Sequence, residues 1–276
     1  MKTLQEIIKG MYNDAGVGQS IHKHLSAVGI NEWEDITRGS LYDLRDYLAT
    51  VLAPSSQKTV MAHIKCIFNR YRDEHKLPED YDKILNNKVT KPLKTYLTEE
   101  DLAKLEKFEP KTKKTEWIKN VFLICAYTGL RVSDALKLTA ENIVGENLHY
   151  VAQKTKKSGA IPLKPGVAER IIWMNEHPQY SVSITFYNRA IKLLCKRAGI
   201  DDDVLVFKAG KEMRGPKWKF ISSHSARIST ATCLDRRGVQ IGDICQLLQH
   251  SSVTTTERYI VRDRIQLSDE AMKFFK

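Results

Sequence analysis

The sequence of 276 residues contains neither a long hydrophobic run nor a paired-cysteine motif. No stretch approaches the ~20 consecutive apolar residues of a membrane-spanning helix. The N-terminal "MKTLQEIIKGMYND" has no uninterrupted apolar segment of the kind that secretory signals carry. Five scattered cysteines without a Cys-x-x-Cys pair are typical of a reduced, intracellular protein with buried thiols. We therefore expect a cytoplasmic protein without a membrane partner.

Motifs for metals and nucleotides are also missing from the sequence. The segment "GKEMRGPK", which begins at Gly210, lacks the Gly-Lys-Ser/Thr ending of a phosphate-binding loop. No His-Glu-x-x-His motif occurs, the histidines show no metal-ligand spacing, and there is no Gly-x-Ser-x-Gly elbow. We expect an activity that uses no cofactor and no metal ion.

A surplus of positive charge is the main compositional signal. The chain has 44 Lys and Arg against 33 Asp and Glu, which gives a formal net charge of +11. Such a surplus favours a polyanionic partner, because Lys and Arg that neutralise phosphates release condensed counterions. Charge alone leaves nucleic-acid binding open, since many basic proteins never contact DNA or RNA.

The first ninety residues have the pattern of short helices joined by polar turns. The stretch "SLYDLRDYLATVL" begins with Ser40 as the predicted N-cap, and the following helix is predicted to run to Pro78. Its apolar residues recur at helical spacing: Met61, Ile64, Phe68 and Tyr71. Four basic residues lie mostly off this stripe, on a face that is either solvated or turned towards DNA: Lys58, Lys65, Arg70 and Arg72.

A change in composition divides the chain. The stretch "DYDKILNNKVTKPLKTY" is polar and basic, has no periodic apolar face and contains Pro92, which is typical of a linker. We predict a helical domain over residues 1–80, a linker over residues 81–96 and a second domain over residues 97–276.

The second domain combines helices with a little β-structure. Thr98 and Asp101 have the spacing of a capping box, and Gly129 is predicted to end the apolar helix that follows. The segments "NLHYVAQ" and "AIPL" flank the turn-rich "KTKKSG" and predict an antiparallel hairpin. The segment "VLVF" predicts one more short strand. The chain from His224 onward is predicted to be helical. The predicted fold class is mainly α with a small antiparallel β-sheet, in two domains: a helical first domain and a mixed α+β second domain.

Three stretches of the second domain carry polar residues of types that can take part in catalysis. "AYTGLRVSDALKL" places Arg131 at the entrance to a helix that begins near Ser133. "HSARISTATCLDRRG" places His224 and Arg227 on one helical face, and "LLQHSSVTTTERY" places Tyr259 nine residues after His250. Each stretch alone has an ordinary explanation, since a tyrosine in a C-terminal helix is usually a half-buried core residue.

Taken in order, these stretches resemble the tyrosine recombinase (phage integrase) family. The family pattern is an Arg in "TGLR", a Lys on a β-hairpin, His-x-x-Arg, a later histidine and a Tyr nine residues beyond it. The resemblance covers the chain from about Leu97 to Tyr259. It implies a helical core-binding domain followed by a catalytic domain.

The resemblance assigns a role to each matching residue. Arg131 and Arg227 bind the scissile phosphate, His224 assists proton transfer, His250 donates to the phosphate, and Tyr259 is the nucleophile. For the hairpin lysine the sequence offers Lys154, Lys156 and Lys157, of which Lys154 fits best because "QKT" leads into the turn. Asp134 matches an acidic position that supports the first arginine or the catalytic histidine.

Two positions depart from the family pattern. Gln249 stands where the family commonly has a glycine before the later histidine, and Ile228 stands where a histidine often follows the second arginine. Neither position performs the chemistry. The resemblance therefore still implies a full set of catalytic residues.

The chemistry needs these residue types. Two guanidiniums suit a phosphoryl transition state because they stay charged and donate paired hydrogen bonds. A tyrosine hydroxyl has a pKa near 10, so its attack requires proton removal, and a lysine can protonate the departing 5′ oxygen. The product implied by the resemblance is a 3′-phosphotyrosine, whose religation needs neither ATP nor a metal ion.

The resemblance also implies partners and a setting. Two domains clamp double-stranded DNA at specific attachment or recombination sites, and four protomers hold two such sites. The source would be a phage or mobile element, and the protein would associate with the nucleoid of a prokaryotic host. The tail beyond Tyr259 has apolar residues that can dock in its own protomer or, as the resemblance favours, in a neighbour: Ile265, Leu267, Met272 and Phe275. Two alternatives remain: a catalytically silent DNA-binding protein and a relaxing enzyme like the type IB topoisomerases.

Overall fold

A computed structural model of the chain describes residues 2–12, 15–87, 93–177, 180–208 and 210–262. The chain divides into two compact units. The first comprises Met1–Pro92 with Phe207–Glu212, and the second comprises Leu93–Val206 with Met213–Lys276. The predicted docking residues of the C-terminal tail lie outside the described residues.

The first unit is helical. Its helices are α1 (Leu4–Met11), α2 (Ala15–Ser26), α3 (Arg38–Val51), α4 (Pro54–Tyr71) and α5 (Tyr81–Ile84), with a 3-10 turn at Trp33–Asp35. The stripe predicted for α4 faces its core, since Met61, Ile64 and Phe68 are all buried there. Burial of these apolar side chains is what holds the short helices together.

Two predicted helix boundaries in this unit are wrong. The N-cap of α3 is Thr37, whose side chain accepts from the backbone N–H of Ser40, so Ser40 is the third residue of the helix. Helix α4 begins with Pro54 in its first turn, where the missing N–H costs nothing, and it ends at Tyr71 instead of Pro78. The predicted linker contains α5, whose Ile84 is buried.

The second unit contains most of the helices, the three-stranded sheet and the part of the two-stranded sheet that lies outside Phe207–Glu212. Its helices are α6 (Glu99–Lys107), α7 (Lys113–Thr128), α8 (Val132–Ala135), α9 (Val167–Glu176), α10 (Ile184–Arg197), α11 (Ser223–Arg236), α12 (Ile241–Leu247) and α13 (Val253–Glu257). Strands β1 (Ile143–Val144), β2 (Asn147–Val151) and β3 (Ser158–Pro162) form an antiparallel sheet in the order β1-β2-β3, and β4 (Asp203–Lys208) and β5 (Lys211–Pro216) form a second. The predicted fold class, mainly α with small antiparallel sheets, is confirmed.

Several local predictions for this unit are confirmed. Thr98 and Asp101 form the capping box of α6, and β2 pairs with β3 as the predicted hairpin. Gly129 ends α7 with a φ of +73°, a left-handed conformation that favours glycine. Strand β4 includes the predicted "VLVF", whereas β5, whose sequence is "KEMRGP", was not predicted.

Helix α7 is the centre of the second unit. Nearly every side chain from Trp117 to Cys125 is buried, and α11 packs along it. The Thr230 hydroxyl on α11 donates to the backbone oxygen of Ala126 on α7 at 2.8 Å. A side chain at Gly129 would collide with Leu248, since its Cβ would lie 2.5 Å from a Leu248 methyl group. This close packing brings the end of α7, the start of α11 and the end of α12 to one place.

Within the part of the chain that the structure describes, no helix combines the length and the apolar character needed to cross a membrane.

Candidate active site

Tyr259 lies in the turn that follows α13. Its backbone N–H donates to the oxygen of Thr256 at 2.8 Å, and its ring is half-buried. The next residues are tied to α11: the N–H of Val261 donates to the Thr232 hydroxyl at 3.1 Å, and Arg262 donates two hydrogen bonds of 3.0 and 2.6 Å to Asp235. The segment that carries the tyrosine is therefore fixed to the same helix that carries His224 and Arg227.

Four of the predicted site residues come together around the phenol ring. The centroid of the Tyr259 ring is 4.8 Å from that of His224 and 4.6 Å from that of His250. The guanidinium carbon of Arg227 lies 5.6 Å from the same centroid. His224 and Arg227 reach the ring side by side because residues three apart share one face of α11.

Arg227 is a buried arginine with two backbone partners. One terminal nitrogen, Nη1, donates to the oxygen of Gly129 at 2.5 Å, and Nη2 donates to the oxygen of Leu248. Its Nε has no partner among the described residues. Burial lowers the pKa of its guanidinium, and the positive charge of Arg131 lowers it further. Each terminal nitrogen keeps a second hydrogen, so the group can hold these carbonyls and still donate to an anion.

Arg131 and Asp134 form a second, more open part of the site. Arg131 is the N-cap of α8, and its Nη1 lies 3.8 Å from Oδ2 of the buried Asp134. The other carboxylate oxygen of Asp134 accepts from the backbone N–H of Gln153 at 3.0 Å. Of the two partners considered for Asp134, the contact observed is with the arginine, and the same carboxylate reaches the base of the β2–β3 hairpin.

The hairpin lysines are exposed. Lys154, Lys156 and Lys157 all lie in the connection between β2 and β3, where Lys156 has a φ of +55°. Among the contacts of the described residues, none joins any of the three to Tyr259. The structure therefore brings together the arginine, histidine and tyrosine residues, but not the lysine.

The two histidines are neutral at pH 7. Burial is the main cause that lowers the pKa of His224 and of His250 to about 4; nearby cations, Lys94 for His224 and Arg227 for both, add to it. Nδ1 of His250 lies 2.9 Å from the Thr256 hydroxyl, and its Nε2 is buried without a partner among the described residues. An unpartnered buried nitrogen is costly and is relieved when an anion or acceptor arrives.

Gln249, the departure from the family glycine, has a strained backbone. Its φ is +50°, in the left-handed region where a side chain is unfavourable. Both amide atoms are buried without a partner among the described residues. The amide fits against Gly159 of β3, where a Cβ would lie 2.1 Å from its nitrogen. The glutamine therefore takes a backbone conformation that favours glycine, and its side chain fits only because residue 159 is a glycine.

One neighbour of the tyrosine was not predicted. Lys94 donates from Nζ to the backbone oxygen of Arg258 at 3.0 Å and lies 5.3 Å from the centroid of the Tyr259 ring. Residue 94 falls in the predicted linker over residues 81–96. No local pattern could have found it, because the two partners are 164 residues apart.

The site has the chemistry of an anion receptor built around a phenol. It brings guanidinium groups and neutral imidazoles to one half-buried hydroxyl-bearing ring, which suits a phosphodiester and its more highly charged transition state. Among the described ranges, no group of three or more His, Cys, Asp or Glu residues could hold a metal ion.

The fold and the site define a class of protein, and sequence comparison identifies it. Residues 95–264 match the model of the phage integrase family, which is more than half of the chain, and the protein belongs to this family.

Curated relatives carry the name tyrosine recombinase. The XerA protein of Pyrococcus furiosus is 30% identical over 186 residues, which cover 66% of this chain and 63% of the relative. The XerC protein of Rickettsia massiliae is 27% identical over 194 residues, which cover 64% of this chain and 58% of the relative. The chain thus spans less than two thirds of the length of these relatives.

Solved structures share the fold along nearly the whole chain. A lambda integrase dimer bound to a COC′ core site has a TM-score of 0.66 and 17% identity, and covers 97% of this chain and 98% of that one. The site-specific recombinase XerH, in a post-cleavage complex with a palindromic difH substrate, has a TM-score of 0.69 and 18% identity, and covers 97% and 80%. At such identities the likeness shows the fold alone.

Proposed function

We propose that this protein is a site-specific DNA recombinase that cleaves and rejoins strands through a 3′-phosphotyrosine, without a metal ion or ATP. One observation carries the proposal: the Tyr259 ring lies 4.8 and 4.6 Å from the rings of His224 and His250, with the Arg227 guanidinium over it. The names of the relatives and the net charge of +11 support a DNA substrate.

In this mechanism the two arginines bind the scissile phosphate. Arg227 is fixed by the carbonyl oxygens of Gly129 and Leu248, so its free N–H groups need little reorganisation when the phosphate enters. Arg131 is half-buried and is held by Asp134. Together they neutralise the charge that grows on the non-bridging oxygens during attack.

The histidines handle the proton and the phosphate. Because the pKa of His224 is about 4 in the free protein, its imidazole is neutral at pH 7. The negative charge of a bound phosphate raises that pKa towards the range in which the imidazole can accept the Tyr259 proton. His250 donates to a non-bridging oxygen from Nε2 when the Thr256 hydroxyl donates to Nδ1, the tautomer that leaves a hydrogen on the unpartnered nitrogen.

Lys154 completes the reaction from the hairpin. The Tyr259 oxygen forms a bond to phosphorus, the bond from phosphorus to the 5′ oxygen breaks, and Lys154 gives that oxygen its proton. The products are a 3′-phosphotyrosine and a free 5′-hydroxyl. Attack by another 5′-hydroxyl reverses the step, and the covalent bond to the enzyme conserves the energy needed for religation.

Partners and organisation follow from the same proposal. The first unit serves as the helical core-binding domain and the second as the catalytic domain. Four protomers hold two DNA sites, and the C-terminal tail of one protomer docks in its neighbour. An origin in a phage or mobile element, which the family resemblance implies, belongs to the same proposal.

The test uses a library of nicked duplexes that is randomised on both sides of the nick, in EDTA and without ATP. Cleavage beside the nick releases a short fragment, which traps a covalent adduct that survives SDS. We expect an adduct with the wild type and none with Tyr259→Phe. The matched control Tyr180→Phe, which keeps its ring against Trp117, should form the adduct normally.

Three results would contradict the proposal. Recovery of bound duplexes without any adduct would identify a protein that binds DNA but does not cut it. An adduct that persists in Tyr259→Phe would exclude this nucleophile. Adducts without sequence preference, together with relaxation of supercoiled DNA, would indicate a topoisomerase-like enzyme.

A further inference from the structure

Lys94 lies beside the tyrosine although it belongs to the segment that leads into α6. Its Nζ donates to the backbone oxygen of Arg258 at 3.0 Å and lies 5.3 Å from the centroid of the Tyr259 ring. None of the stretches that carry the family resemblance contains this lysine. The site thus has a further cation from a separate part of the chain.

The segment around Lys94 is held in place by other contacts. The backbone N–H of Leu97 donates to the buried Ser229 hydroxyl at 2.8 Å. Tyr96 and Leu97 are themselves buried, and Leu97 belongs to the main core of the second unit. Because these contacts fix the backbone, the ammonium group of Lys94 is not needed to hold the segment.

The surroundings of Lys94 are unfavourable for a cation in the free protein. Burial lowers the pKa of its ammonium group, and the charge of Arg258 lowers it further. Lys94 in turn helps to lower the pKa of His224. A partly buried cation beside other cations is stabilised when an anion reaches it. Here the anion is the phenolate that attacks or the phosphate that receives the attack.

We propose that Lys94 is a positioning residue for strand cleavage: it fixes the Arg258–Tyr259 peptide and sets a positive charge against the phenol of Tyr259. The inference rests on the proposed function, in which Tyr259 is the nucleophile. The hydrogen bond restricts rotation of the peptide just before the tyrosine. The ammonium group, 5.3 Å from the ring centroid, attracts the negative charge that develops on Tyr259 during attack.

Other charged or titratable groups surround the ring and must stay constant in a test. His224 and Arg227 of α11 and His250, which precedes α13, lie against the ring. Two further cations act on these neighbours, since Arg258 lowers the pKa of Lys94 and Arg131 lowers that of His224. Substitutions at Lys94 alone leave all of them in place. A change in the pH profile then reports the loss of the lysine, including its effect on the pKa of His224.

The experiment compares three variants on an adduct-forming duplex recovered from the nicked library. Lys94→Met removes the charge and keeps the stem, and Lys94→Arg keeps the charge and a donor. The control is Lys164→Met, which removes an exposed lysine 4.2 Å from the Tyr127 ring, away from Tyr259. Single-turnover cleavage at saturating protein, DNA affinity, thermal stability and the pH profile of cleavage are measured for each.

For Lys94→Met we expect cleavage to slow about tenfold, DNA affinity to change less than about threefold, and the half-maximal rate to shift to higher pH. Lys94→Arg should recover most of the rate, and Lys164→Met should match the wild type.

Unchanged cleavage and pH profile in a folded Lys94→Met would overturn the inference. So would equal losses of rate and affinity at every pH, which would identify a simple phosphate anchor. If the wild type forms no adduct, the proposed function fails first; a normal wild type with an unaffected Lys94→Met refutes the inference alone.

Discussion

The tyrosine side of the candidate site is buried and internally bonded, whereas the hairpin that carries Lys154 is exposed. Arg227 is held by two carbonyl oxygens, and the segment of Tyr259 is tied to α11 through Thr232 and Asp235. Lys154 lies exposed in the turn between β2 and β3, in which Lys156 has a left-handed backbone conformation. In the proposed mechanism, the groups for phosphate binding and attack are therefore preorganised, whereas the leaving-group acid has to be brought in.

The two sides of the site should therefore respond differently to substitution. A preorganised donor contributes to the transition state without reorganisation, but its removal also damages the fold. An exposed residue can be lost without harm to folding. In the proposed mechanism Lys154 acts once bound DNA brings the hairpin to the site.

The largest effect is expected on the hairpin side. Lys154→Ala should slow cleavage by about 10²- to 10⁴-fold, because the 5′ oxygen then leaves unprotonated. A substrate with sulfur in place of that oxygen should restore the rate, since a thiolate leaves without a proton. Single-turnover cleavage of both substrates is the measurement.

Controls for this prediction come from the same turn. Lys156→Ala and Lys157→Ala should cleave both substrates almost as the wild type does, and all three variants should melt at the wild-type temperature because the side chains are exposed. Sulfur rescue of Lys156→Ala or Lys157→Ala instead of Lys154→Ala would move the acid to a different lysine.

Substitution of the two arginines should differ more in its effect on the stability of the protein than in its effect on cleavage. Arg227→Lys and Arg131→Lys should each slow cleavage by about 10²- to 10³-fold, because a lysine loses the paired donors. Arg227→Lys should also lower the free energy of unfolding by about 2–3 kcal/mol, since two buried carbonyl oxygens lose charged donors. Arg131→Lys should cost less than about 1 kcal/mol. Equal stability losses in denaturant unfolding would contradict the contrast between the two arginines.

Acid should lower the free energy of unfolding through the two histidines beside Tyr259. The pKa of His224 and of His250 falls from 6.5 to about 4 on folding, so the unfolded chain binds more protons between these values. Stability from these groups is therefore fully present above pH 6.5 and is lost as the pH falls towards 4. Unfolding measured from pH 7 to pH 4.5 should show a smaller acid loss in His250→Gln than in the wild type. The exposed His149→Gln should keep the wild-type profile, and an identical slope in all three proteins would refute the assignment.

The smallest effect concerns the glutamine between the two sides. Gln249→Gly should raise the free energy of unfolding by about 1 kcal/mol, because glycine accepts the φ of +50° and the unpartnered amide disappears. The same exchange at Gln246, inside α12, should lower it by about 1 kcal/mol. A loss of stability in Gln249→Gly would mean that the packing of the amide against Gly159 outweighs the strain.

The sequence predicted the parts of the site that depend on local spacing. His224 and Arg227 share a helix face, and the capping box of α6 and the end of α7 at Gly129 follow from a few adjacent residues. Residues far apart in sequence were beyond it, as with Lys94 and Arg258. Strand β5 was missed because its exposed, polar residues carry no alternation to detect. The start of α3 was misplaced because Thr37 and Ser40 are both good caps and only the folded chain decides between them.

The chemical identity of the trapped adduct tests the role of Tyr259 most directly. Proteolysis of the covalent complex and mass spectrometry should find the nucleotide on the peptide that contains Tyr259, joined through a 3′-phosphate. The released strand should carry a free 5′-hydroxyl, which a polynucleotide kinase labels without prior phosphatase treatment. A nucleotide on any other residue, or a linkage through a 5′-phosphate, would contradict the proposal that Tyr259 is the nucleophile of this site.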